Sequence, residues 1–352
     1  MSDRFELAPG YSISRLIHGG WQFSAGHRMS GPALDDAVEV LIESAEAGMT
    51  TFDCADIYTG VEELCGRFLT RWNSTAIAAP IQIHTKFVPD YADLESVDRA
   101  YVEGIIHRSL TRLGVECLDL VQYYWWRDDV PGMEDAALWL ADLQTAGKIR
   151  HIGVTNLDAP RIQRIVDAGV SVVSNQVQYS ALDRRPEHGL ADWCRNGQTR
   201  LICFGTLAGG FLTDRWTASS APNEHENRSL TKYRLIIDEF GGWAAYQALL
   251  AELEAIGTSH GVEASAVAVR FVLDQPMVAA VITGATRFGQ MARNAAALSC
   301  ELAAEDHERL RLLVDAAPGP LGDVFELERD RNGPHGRIMK YDLNKKEDYW
   351  VG

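Results

Sequence analysis

The sequence predicts a single (β/α)8 TIM barrel, in which eight parallel strands form a closed ring inside a layer of helices. Short apolar runs alternate with longer amphipathic segments eight times along the 352 residues, and this alternation is typical of parallel α/β proteins. Eight repeats in one chain of this length favour a closed barrel over an open sheet. The segment HGGWQF (18–23) lacks the GxGxxG pattern of a Rossmann domain, which argues against that fold.

The strands and helices follow in order from these patterns. The predicted strands are 15–20, 50–54, 81–86, 118–124, 149–154, 172–176, 201–205 and 279–283. The predicted helices are 35–48, 61–72, 97–113, 134–147, 159–168, 186–197, 263–274 and 286–298. Gly48, Gly114 and Gly147 stand where helices end, and glycine is favoured in a left-handed helix cap.

Three additions interrupt this pattern. Residues 4–16 predict a short hairpin that closes the bottom of the barrel. Residues 206–241 form a long connection after the seventh strand, followed by an extra helix near 242–260. Because loops after barrel strands lie on the catalytic face, we expect this connection to be a pocket wall or lid. The predicted organisation is a barrel over 1–316 and a C-terminal tail over 317–352 that packs on or near it.

Composition narrows the function class. The chain has 33 Lys and Arg against 49 Asp and Glu, a net charge of −16, which disfavours nucleic acid or an anionic membrane as a partner. The six cysteines form no CxxC pair, and no histidine cluster has metal-ligand spacing. We therefore expect reduced thiols and no metal site. A polar N-terminus and the lack of an apolar run near 18 residues predict a cytoplasmic protein without a membrane span.

Three polar residues, Asp53, Tyr58 and Lys86, stand at or near the ends of neighbouring predicted strands. A tyrosine has an ordinary pKa of about 10, and a nearby ammonium lowers that pKa and makes the phenol a usable acid. A carboxylate would hold the ammonium in place. Each residue alone is as well explained by packing or a structural ion pair. Together they suit protonation of a carbonyl oxygen while a hydride reaches its carbon.

Several segments at strand ends resemble the aldo-keto reductase family, over roughly residues 10–315. They are FDCADIYTGVEELCGRFL (52–69), IHTKF (83–87), GVTN (153–156), NQVQYS (175–180), FGTLAGGFL (204–212) and ITGATRFGQMARN (282–294). The resemblance implies that Tyr58 is the proton donor, that Lys86 tunes it, and that Asp53 pairs with Lys86. It also implies a nicotinamide cofactor and a small carbonyl or alcohol substrate.

The same resemblance implies a cofactor site. Asn156 and Gln176 would hydrogen-bond the nicotinamide carboxamide, and Phe204 stands where the family commonly stacks a Tyr on the nicotinamide ring. The implied cofactor residues are Thr155, Asn156, Gln176, Phe204, Gly205, Leu207, Gly210, Gly284, Arg287, Gln290 and Asn294.

The cofactor's phosphates are assigned less directly. Arg287 and Arg293 are available for an adenosine 2′-phosphate, although Gln290 stands where many members carry the phosphate-binding Arg. NADP(H) is therefore favoured and NAD(H) is possible. A helix starting near 287 would also present its N-terminal amides to a phosphate.

The main departure from the family is at Tyr124, in DLVQYYWW (119–126), where the family has a catalytic His. A Tyr stays neutral near neutral pH and can donate one hydrogen bond. Three interpretations follow: Tyr124 orients the substrate for an altered carbonyl reduction; it favours another hydride reaction, such as alcohol oxidation or reduction of an imine or activated C=C; or ordinary catalysis is lost.

The substrate pocket is predicted from aromatic residues. Trp21 matches a pocket aromatic of the family, and Trp125 is predicted to join it, with Tyr123 and Trp126 as further candidates for an apolar wall. The acidic loop 127–129 would disfavour anionic substrates if it faced the pocket. Selectivity is expected to depend on loops 21–31, 123–133 and 206–241 and on the tail.

His84 lies two residues before Lys86, so both face the same side of a strand. It is either a polar contact of Lys86 or Asp53, or a buried histidine satisfied by a neighbouring side chain.

The predicted function is that of an NAD(P)H-dependent oxidoreductase acting on carbonyl and alcohol groups (the EC 1.1.1 type), with Tyr58 as general acid/base. The alternative is a cofactor-binding sensor or accessory subunit with little or no turnover.

Overall fold

The computed structural model describes residues 3–25, 34–75, 79–197, 199–222 and 228–344. Parts of the expected pocket loops and tail (26–31, 223–227 and 345–352) lie outside the described residues.

The N-terminal segment forms the predicted hairpin. Strand β1 (Arg4–Ala8) pairs antiparallel with β2 (Tyr11–Ser14). Its buried side chains Leu7, Tyr11 and Ile13 pack with apolar residues from the barrel interior. The hairpin therefore closes the barrel end that lies opposite the loops after the strands.

Among the described residues, eight parallel strands close into a barrel, as the sequence predicted. They are β3 (Leu16–Gly19), β4 (Thr51–Asp53), β5 (Gln82–Phe87), β6 (Leu118–Tyr123), β7 (Ile149–Thr155), β8 (Ser174–Gln178), β9 (Arg200–Phe204) and β10 (Val278–Gly284). Each strand pairs with the next along the chain, and β10 pairs with β3 to close the ring. All eight carboxyl ends meet at one rim, which is where polar residues from distant segments converge.

Helices surround the barrel and occupy most of the predicted positions. They are α1 (Leu34–Glu46), α2 (Val61–Asn73), α3 (Arg99–Leu113), α4 (Met133–Thr145), α5 (Ala159–Asp167), α6 (Leu190–Asn196), α7 (Arg228–Phe240), α8 (Gly242–His260), α9 (Ala264–Leu273), α10 (Gln290–Ser299), α11 (Ala304–Ala316), α12 (Glu326–Arg329) and α13 (Pro334–Arg337). Helix α3 shows the local rules: the Asp98 carboxylate accepts the amide of Tyr101 at 2.8 Å, and Gly114 ends the helix at φ 67°.

Two helix predictions were incomplete. The connection 206–241 contains α7, whose buried residues Leu230, Tyr233, Ile237 and Phe240 lie on one helical face. Helix α6 begins at Leu190 rather than near 186, because Arg185–Glu187 forms a separate 3-10 turn with a proline inside.

The C-terminal tail returns to the mouth of the barrel. The backbone amides of Leu343 and Asn344 donate to Asp90 Oδ1 at 2.8 and 2.9 Å, and Asn344 Nδ2 donates to the carbonyl of Val88 at 2.7 Å. These contacts hold the tail against the loop after β5. Within the described part of the chain, none of the helices has the length and apolar character needed to cross a bilayer.

Candidate active site

The barrel brings Asp53 and Lys86 into a buried ion pair. Lys86 Nζ donates to Asp53 Oδ1 and Oδ2 at 2.9 and 2.8 Å and to the carbonyl of Cys54 at 2.8 Å. Each side chain is 4% exposed. Burial opposes the charge on Lys86, but the Asp53 carboxylate outweighs it and raises the lysine's pKa above its ordinary value. Lys86 is therefore a fixed cation.

Two amide side chains hold the other side of the carboxylate. Gln122 Nε2 and Gln176 Nε2 donate to Asp53 Oδ1 at 3.1 and 2.6 Å, and Gln176 Nε2 also donates to Gln122 Oε1 at 3.0 Å. Gln122 stands opposite Lys86 in the β5–β6 register. The Asp53 carboxylate has little freedom to move.

Tyr58 lies in the turn between β4 and α2, with its ring beside the ion pair. Lys86 Nζ lies 4.7 Å from the ring centre, and the Trp21 ring packs edge-on at 4.9 Å. Burial raises the pKa of Tyr58, the Lys86 ammonium lowers it, and the net direction is upward. The Lys86 ammonium lowers this pKa as expected, but desolvation of the phenolate is the larger effect, so the pKa stays above its ordinary value.

Tyr124 sits at the end of β6, facing the same space. Its ring contacts Trp126 and Phe325 edge-on at 4.9 and 5.7 Å. Its hydroxyl is buried with no hydrogen-bond partner among the described residues. Burial raises its pKa, and the positive charge of Arg329 opposes that rise. Tyr124 is thus a neutral phenol beside a cation, and its O–H can donate one hydrogen bond.

All of these side chains face one large cleft at the carboxyl rim, with a volume of about 1230 Å³. Trp21, Tyr58, Lys86, Tyr124 and Trp126 line it. The volume exceeds what a small substrate needs, and it is large enough for a substrate together with a dinucleotide.

The predicted pocket position of Trp125 requires correction. Tyr123 donates its hydroxyl to the carbonyl of Met133 at 3.0 Å, and Trp125 donates its indole N–H to the carbonyl of Val130 at 3.1 Å. Both are buried away from the cleft lining. Because side chains of an extended chain alternate, Tyr124 and Trp126 face the cleft while Tyr123 and Trp125 pack outward.

The predicted cofactor residues all line this cleft. They are Thr155, Asn156, Gln176, Phe204, Gly205, Leu207, Gly210, Gly284, Arg287, Gln290 and Asn294. They come from the ends of β7 to β10 and from the connections that follow, so one wall of the cleft is built from the segments that the resemblance singled out.

Asn156 has an unusual geometry that suits a ligand. Its backbone is left-handed at φ 54°, and its carbonyl accepts a hydrogen bond from Arg329. Its side-chain Oδ1 is buried without a partner among the described residues, so an amide N–H of a ligand would satisfy it. Gln176 has committed its side-chain nitrogen to Asp53, which leaves its side-chain oxygen for the ligand.

Glycines keep the wall open where backbone must approach a ligand. Gly205 has φ 72°, and a Cβ there would collide with the Tyr233 hydroxyl. A Cβ on Gly284 would collide with the side-chain amide of Gln22. Larger residues would fill the space beside Phe204 and β10.

The last predicted cofactor segment differs in detail from expectation. Helix α10 begins at Gln290, not near 287, and Gln290 Oε1 accepts the amides of Thr286 and Arg287 at 2.8 and 2.9 Å. The Gly289 amide donates to the Glu43 carboxylate, with 3.0 Å to each oxygen. These amides are therefore engaged by side chains and are not presented to a phosphate.

Two guanidinium groups remain for a phosphate in this region. Arg287 and Arg293 line the cleft, and neither forms an ion pair with a described residue. Because phosphates are bound well by unpaired guanidinium groups, this end of the cleft fits a phosphorylated adenosine.

His84 lies below the ion pair and does not take part in it. Its Nε2 is 3.0 Å from the Tyr11 hydroxyl. Burial, with the charge of Lys86 and the nearby His151, lowers its pKa to about 3. It is a neutral buried histidine that links β5 to the hairpin.

The acidic loop 127–129 does not line the cleft. Asp129 pairs with Arg127, and Asp128 pairs with Arg161 and Arg164. Because this loop does not face the cleft, the expected repulsion of anionic substrates does not apply.

A buried cluster of four charges attaches the tail to the barrel. Arg185 Nη2 lies 2.7 Å from Asp183 Oδ2 and its Nη1 lies 2.9 Å from Glu328 Oε2, while Lys232 Nζ lies 3.8 Å from Glu328 Oε1. The formal charges balance, as buried charges require. Lys232 also lies 5.0 Å from the ring centre of Phe204.

The sequence interpretation missed Gln122 and the tail residues Phe325, Glu328 and Arg329, whereas Trp126, a further candidate for the apolar wall, does line the cleft. A glutamine inside the apolar run of β6 was a usable signal for the first. The tail residues gave none, since their partners lie far away in sequence. Among the described residues, no cluster of three or more His, Cys, Asp or Glu side chains is placed to bind a metal.

Comparison with known proteins decides the family. The profile described as Aldo/keto reductase family matches residues 15–315. The chain belongs to this family. Among family relatives, the aldo-keto reductase yakc of Schizosaccharomyces pombe, whose name specifies NADP(+), is 28% identical over 83% of this chain and 86% of its own. Protein tas of Escherichia coli is also 28% identical, over 76% of this chain and 86% of its own.

A solved structure has the same fold. The glycerol dehydrogenase of Gluconobacter oxydans superposes with a TM-score of 0.76 at 24% identity, covering 91% of this chain and 98% of its own. This likeness shows the shared (β/α)8 fold.

Proposed function

We propose that the protein is an NADP(H)-dependent oxidoreductase that transfers hydride between the nicotinamide cofactor and a carbonyl/alcohol substrate, with Tyr58 as general acid/base. The observation that carries this proposal is the position of Tyr58. Its ring lies 4.7 Å from the ammonium of Lys86, which is ion-paired to Asp53, and it lines the cleft that the cofactor residues also line. A protein that only sensed a cofactor would have no use for such a proton donor.

NADP(H) is the favoured cofactor, and NAD(H) is possible. The unpartnered Asn156 Oδ1 fits a carboxamide N–H, Phe204 offers a ring for stacking, and Arg287 and Arg293 fit a 2′-phosphate. The name of the yakc relative, which specifies NADP(+), agrees with this preference.

The side chains have distinct roles in this reaction. When bound, the cofactor supplies or accepts the hydride. Tyr58 gives its proton to the carbonyl oxygen during reduction and takes it back during oxidation, while Lys86 stabilises the phenolate that forms. Tyr124 donates its hydroxyl hydrogen to the same oxygen and so orients the substrate.

The test is rapid mixing of the purified protein with NADPH, and separately with NADH, against a panel of aldehydes, ketones and imines. Loss of the reduced nicotinamide absorbance reports turnover. Tyr58→Phe should lower turnover roughly a hundred- to ten-thousand-fold, the range typical of a lost general acid, with little change in the Kd for NADPH. Tyr233→Phe is the matched control, because it removes another phenol of the same cleft.

Three outcomes would change the assignment. Near-normal turnover by Tyr58→Phe would exclude the acid/base role. Turnover of imines alone would assign the protein to imine reduction instead of carbonyl reduction. Tight NADPH binding without oxidation by any substrate, together with a stable partner in pull-downs, would favour the sensor role.

A further inference from the structure

A hydrogen bond outside the cleft joins the turn that carries Tyr58 to the strand end that carries Lys86. The amide of Val88 donates to Asp56 Oδ2 at 3.0 Å. Asp56 lies two residues before Tyr58, and Val88 lies two residues after Lys86. Asp56 itself does not line the cleft. The contact therefore fixes the proton donor relative to its cation without touching a ligand.

Asp56 makes this contact as a buried, neutral acid. Its side chain is 3% exposed. Burial, together with the charge of Glu62, raises its pKa to about 8, although the Val88 amide and the charge of Arg108 oppose this. At neutral pH the carboxyl is therefore largely protonated, and it contributes a hydrogen-bond acceptor rather than a charge.

Asn344, in the C-terminal tail, binds the same residue from the other side. Its Nδ2 donates to the carbonyl of Val88 at 2.7 Å, and its backbone amide donates to Asp90 Oδ1 at 2.9 Å. Arg108 donates from Nη2 to the Asn344 side-chain oxygen and from Nη1 to its backbone carbonyl at 3.3 Å. The position requires a side chain that both donates and accepts, which a carboxamide does.

Val88 is thus held at both of its backbone polar groups. Its N–H is bound by Asp56 in the turn, and its carbonyl is bound by Asn344 in the tail. Displacement of Asn344 would release the carbonyl and would allow residues 88–90 to carry the Val88 amide away from Asp56. The turn that holds Tyr58 would then lose its contact with the end of β5.

We propose that Asn344 is a positioning residue for Tyr58, because its contact with Val88 maintains the hydrogen bond at Asp56 and so the place of the turn. This inference rests on the proposed acid/base role of Tyr58. A general acid must lie within hydrogen-bond distance of the oxygen that it protonates, and a misplacement of about 1 Å can lower the rate by about a hundred-fold. Asn344 acts from outside the cleft, whose lining does not include it.

The first test is the kinetics of Asn344→Ala. We expect kcat for aldehyde reduction to fall roughly three- to ten-fold, the effect of one or two lost hydrogen bonds. The Kd for NADPH should stay unchanged, because the cofactor residues line the cleft from the ends of β7 to β10. Asn332→Ala is the matched control, since it removes an exposed asparagine of the same tail, and it should keep the wild-type kcat.

Asn344→Asp separates the two side-chain contacts of this residue. A carboxylate can still accept from Arg108 but cannot donate to the Val88 carbonyl. We expect this variant to lose kcat as Asn344→Ala does. Wild-type kcat in Asn344→Asp would show that the contact with Val88 is not needed, and would overturn the inference.

A double-variant cycle tests whether Asn344 and Asp56 act through the same residue. Asp56→Ala should lower kcat, whereas Asp56→Asn should keep most of it, because its amide oxygen can accept the Val88 N–H. Independent effects multiply, whereas effects that share one contact do not. The protein with both Asp56→Ala and Asn344→Ala should therefore be no slower than Asp56→Ala alone. Losses that multiply would contradict the proposed connection.

Hydrogen exchange measured by mass spectrometry tests the connection without turnover. In Asn344→Ala, peptides that cover residues 54–60 should exchange faster than in wild type, as should peptides that cover 88–92. Unchanged exchange in 54–60 would overturn the inference. If wild type reduced aldehydes, Tyr58→Phe abolished this and Asn344→Ala kept the wild-type kcat, the inference would fail and the proposed function would stand. If wild type showed no turnover, the proposed function would fail, and the exchange of 54–60 would still decide whether the tail holds the turn.

Discussion

Arg329, in the C-terminal tail, lies beside Tyr124, at the end of a barrel strand. Its guanidinium carbon is 5.9 Å from the centre of the Tyr124 ring, and its Nη2 donates to the carbonyl of Asn156. The tail thus brings a cation next to a neutral phenol. Arg329 contacts Tyr124 and Asn156, two residues that line the cleft from the ends of different strands.

Arg329→Leu should therefore weaken catalysis as a positioning residue. Without the guanidinium, the Tyr124 hydroxyl becomes a poorer hydrogen-bond donor and Asn156 loses a backbone partner. We expect kcat/KM for reduction to fall by roughly ten-fold, the value of one charge-assisted hydrogen bond. Arg329→Lys should recover part of the loss. Arg331→Leu, which removes a guanidinium that packs on Tyr91 and Tyr341, should leave kcat/KM nearly unchanged. An equal loss in both leucine variants would indicate a general effect on the tail.

Tyr124→His tests the family departure directly. Imidazole is smaller than phenol and titrates near pH 6.5. If Tyr124 restricts the range of carbonyl substrates, the variant should reduce simple aldehydes with a higher kcat/KM. It should also show a new pH dependence near the histidine pKa. Lower kcat/KM at every pH would show instead that the phenol is required in this cleft.

The pKa of Tyr58 predicts how the two directions depend on pH. Burial raises this pKa, so the phenol is protonated at neutral pH and ready to act as an acid. Reduction should be flat through neutral pH and decline only as the pH rises through the raised pKa, while alcohol oxidation, which needs the phenolate, should increase over the same range. Lys86→Met removes the charge that lowers the pKa of Tyr58. The pH at which reduction declines and the pH at which oxidation increases should therefore both move upward, and both rates should fall. A shift to lower pH would contradict this role for Lys86.

The four-charge cluster predicts how the tail is held. Glu328→Gln leaves Arg185 and Lys232 with one buried carboxylate fewer. Because an uncompensated buried charge is costly, we expect the free energy of unfolding to fall by roughly 3 kcal/mol, measured by urea denaturation. The control Glu326→Gln changes an exposed carboxylate two residues earlier and should have little effect. Equal stability of the two variants would show that the cluster is not required to hold the tail.

Local patterns were sufficient for the barrel and for much of the site. Apolar runs of strand length place Asp53 and Lys86 at the ends of adjacent strands, and a parallel barrel then brings them together whatever the loops do. Trp125 was misplaced for a local reason as well. Side chains alternate along an extended chain, so an error of one position exchanges an inward residue for an outward one, and Trp126 takes the pocket position.

The tail contacts could not be predicted in this way. Arg185 and Glu328 are 143 residues apart, and Arg329 and Asn156 are 173 apart. No periodicity relates such residues, because their meeting depends on the path of an irregular segment across the rim. The net direction of the Tyr58 pKa could not be predicted for a related reason: a sequence shows the neighbouring charge but not the depth of burial.

His18 predicts that the fold loses stability in mild acid. This histidine of β3 has its Nδ1 2.9 Å from the Ser44 hydroxyl and its Nε2 3.0 Å from the carbonyl of Ala285. Burial lowers its pKa to about 4 although the carbonyl contact opposes this. The folded pKa lies below the unfolded value of about 6.5, so the unfolded chain binds the proton more readily. The contribution is present above pH 6.5 and is lost as the pH falls toward 4, by up to about 3 kcal/mol.

Urea unfolding at pH 7, 6 and 5 measures this slope. Glutamine at position 18 can still donate and accept hydrogen bonds but does not titrate. In His18→Gln, the slope of the unfolding free energy against pH should therefore be smaller by the contribution of up to one proton. Part of the slope should remain, because the pKa of His84 is lowered to about 3. His107→Gln, at an exposed position of α3, should keep the wild-type slope. A His18→Gln protein with an unchanged slope would mean that His18 is already able to take up its proton in the folded state.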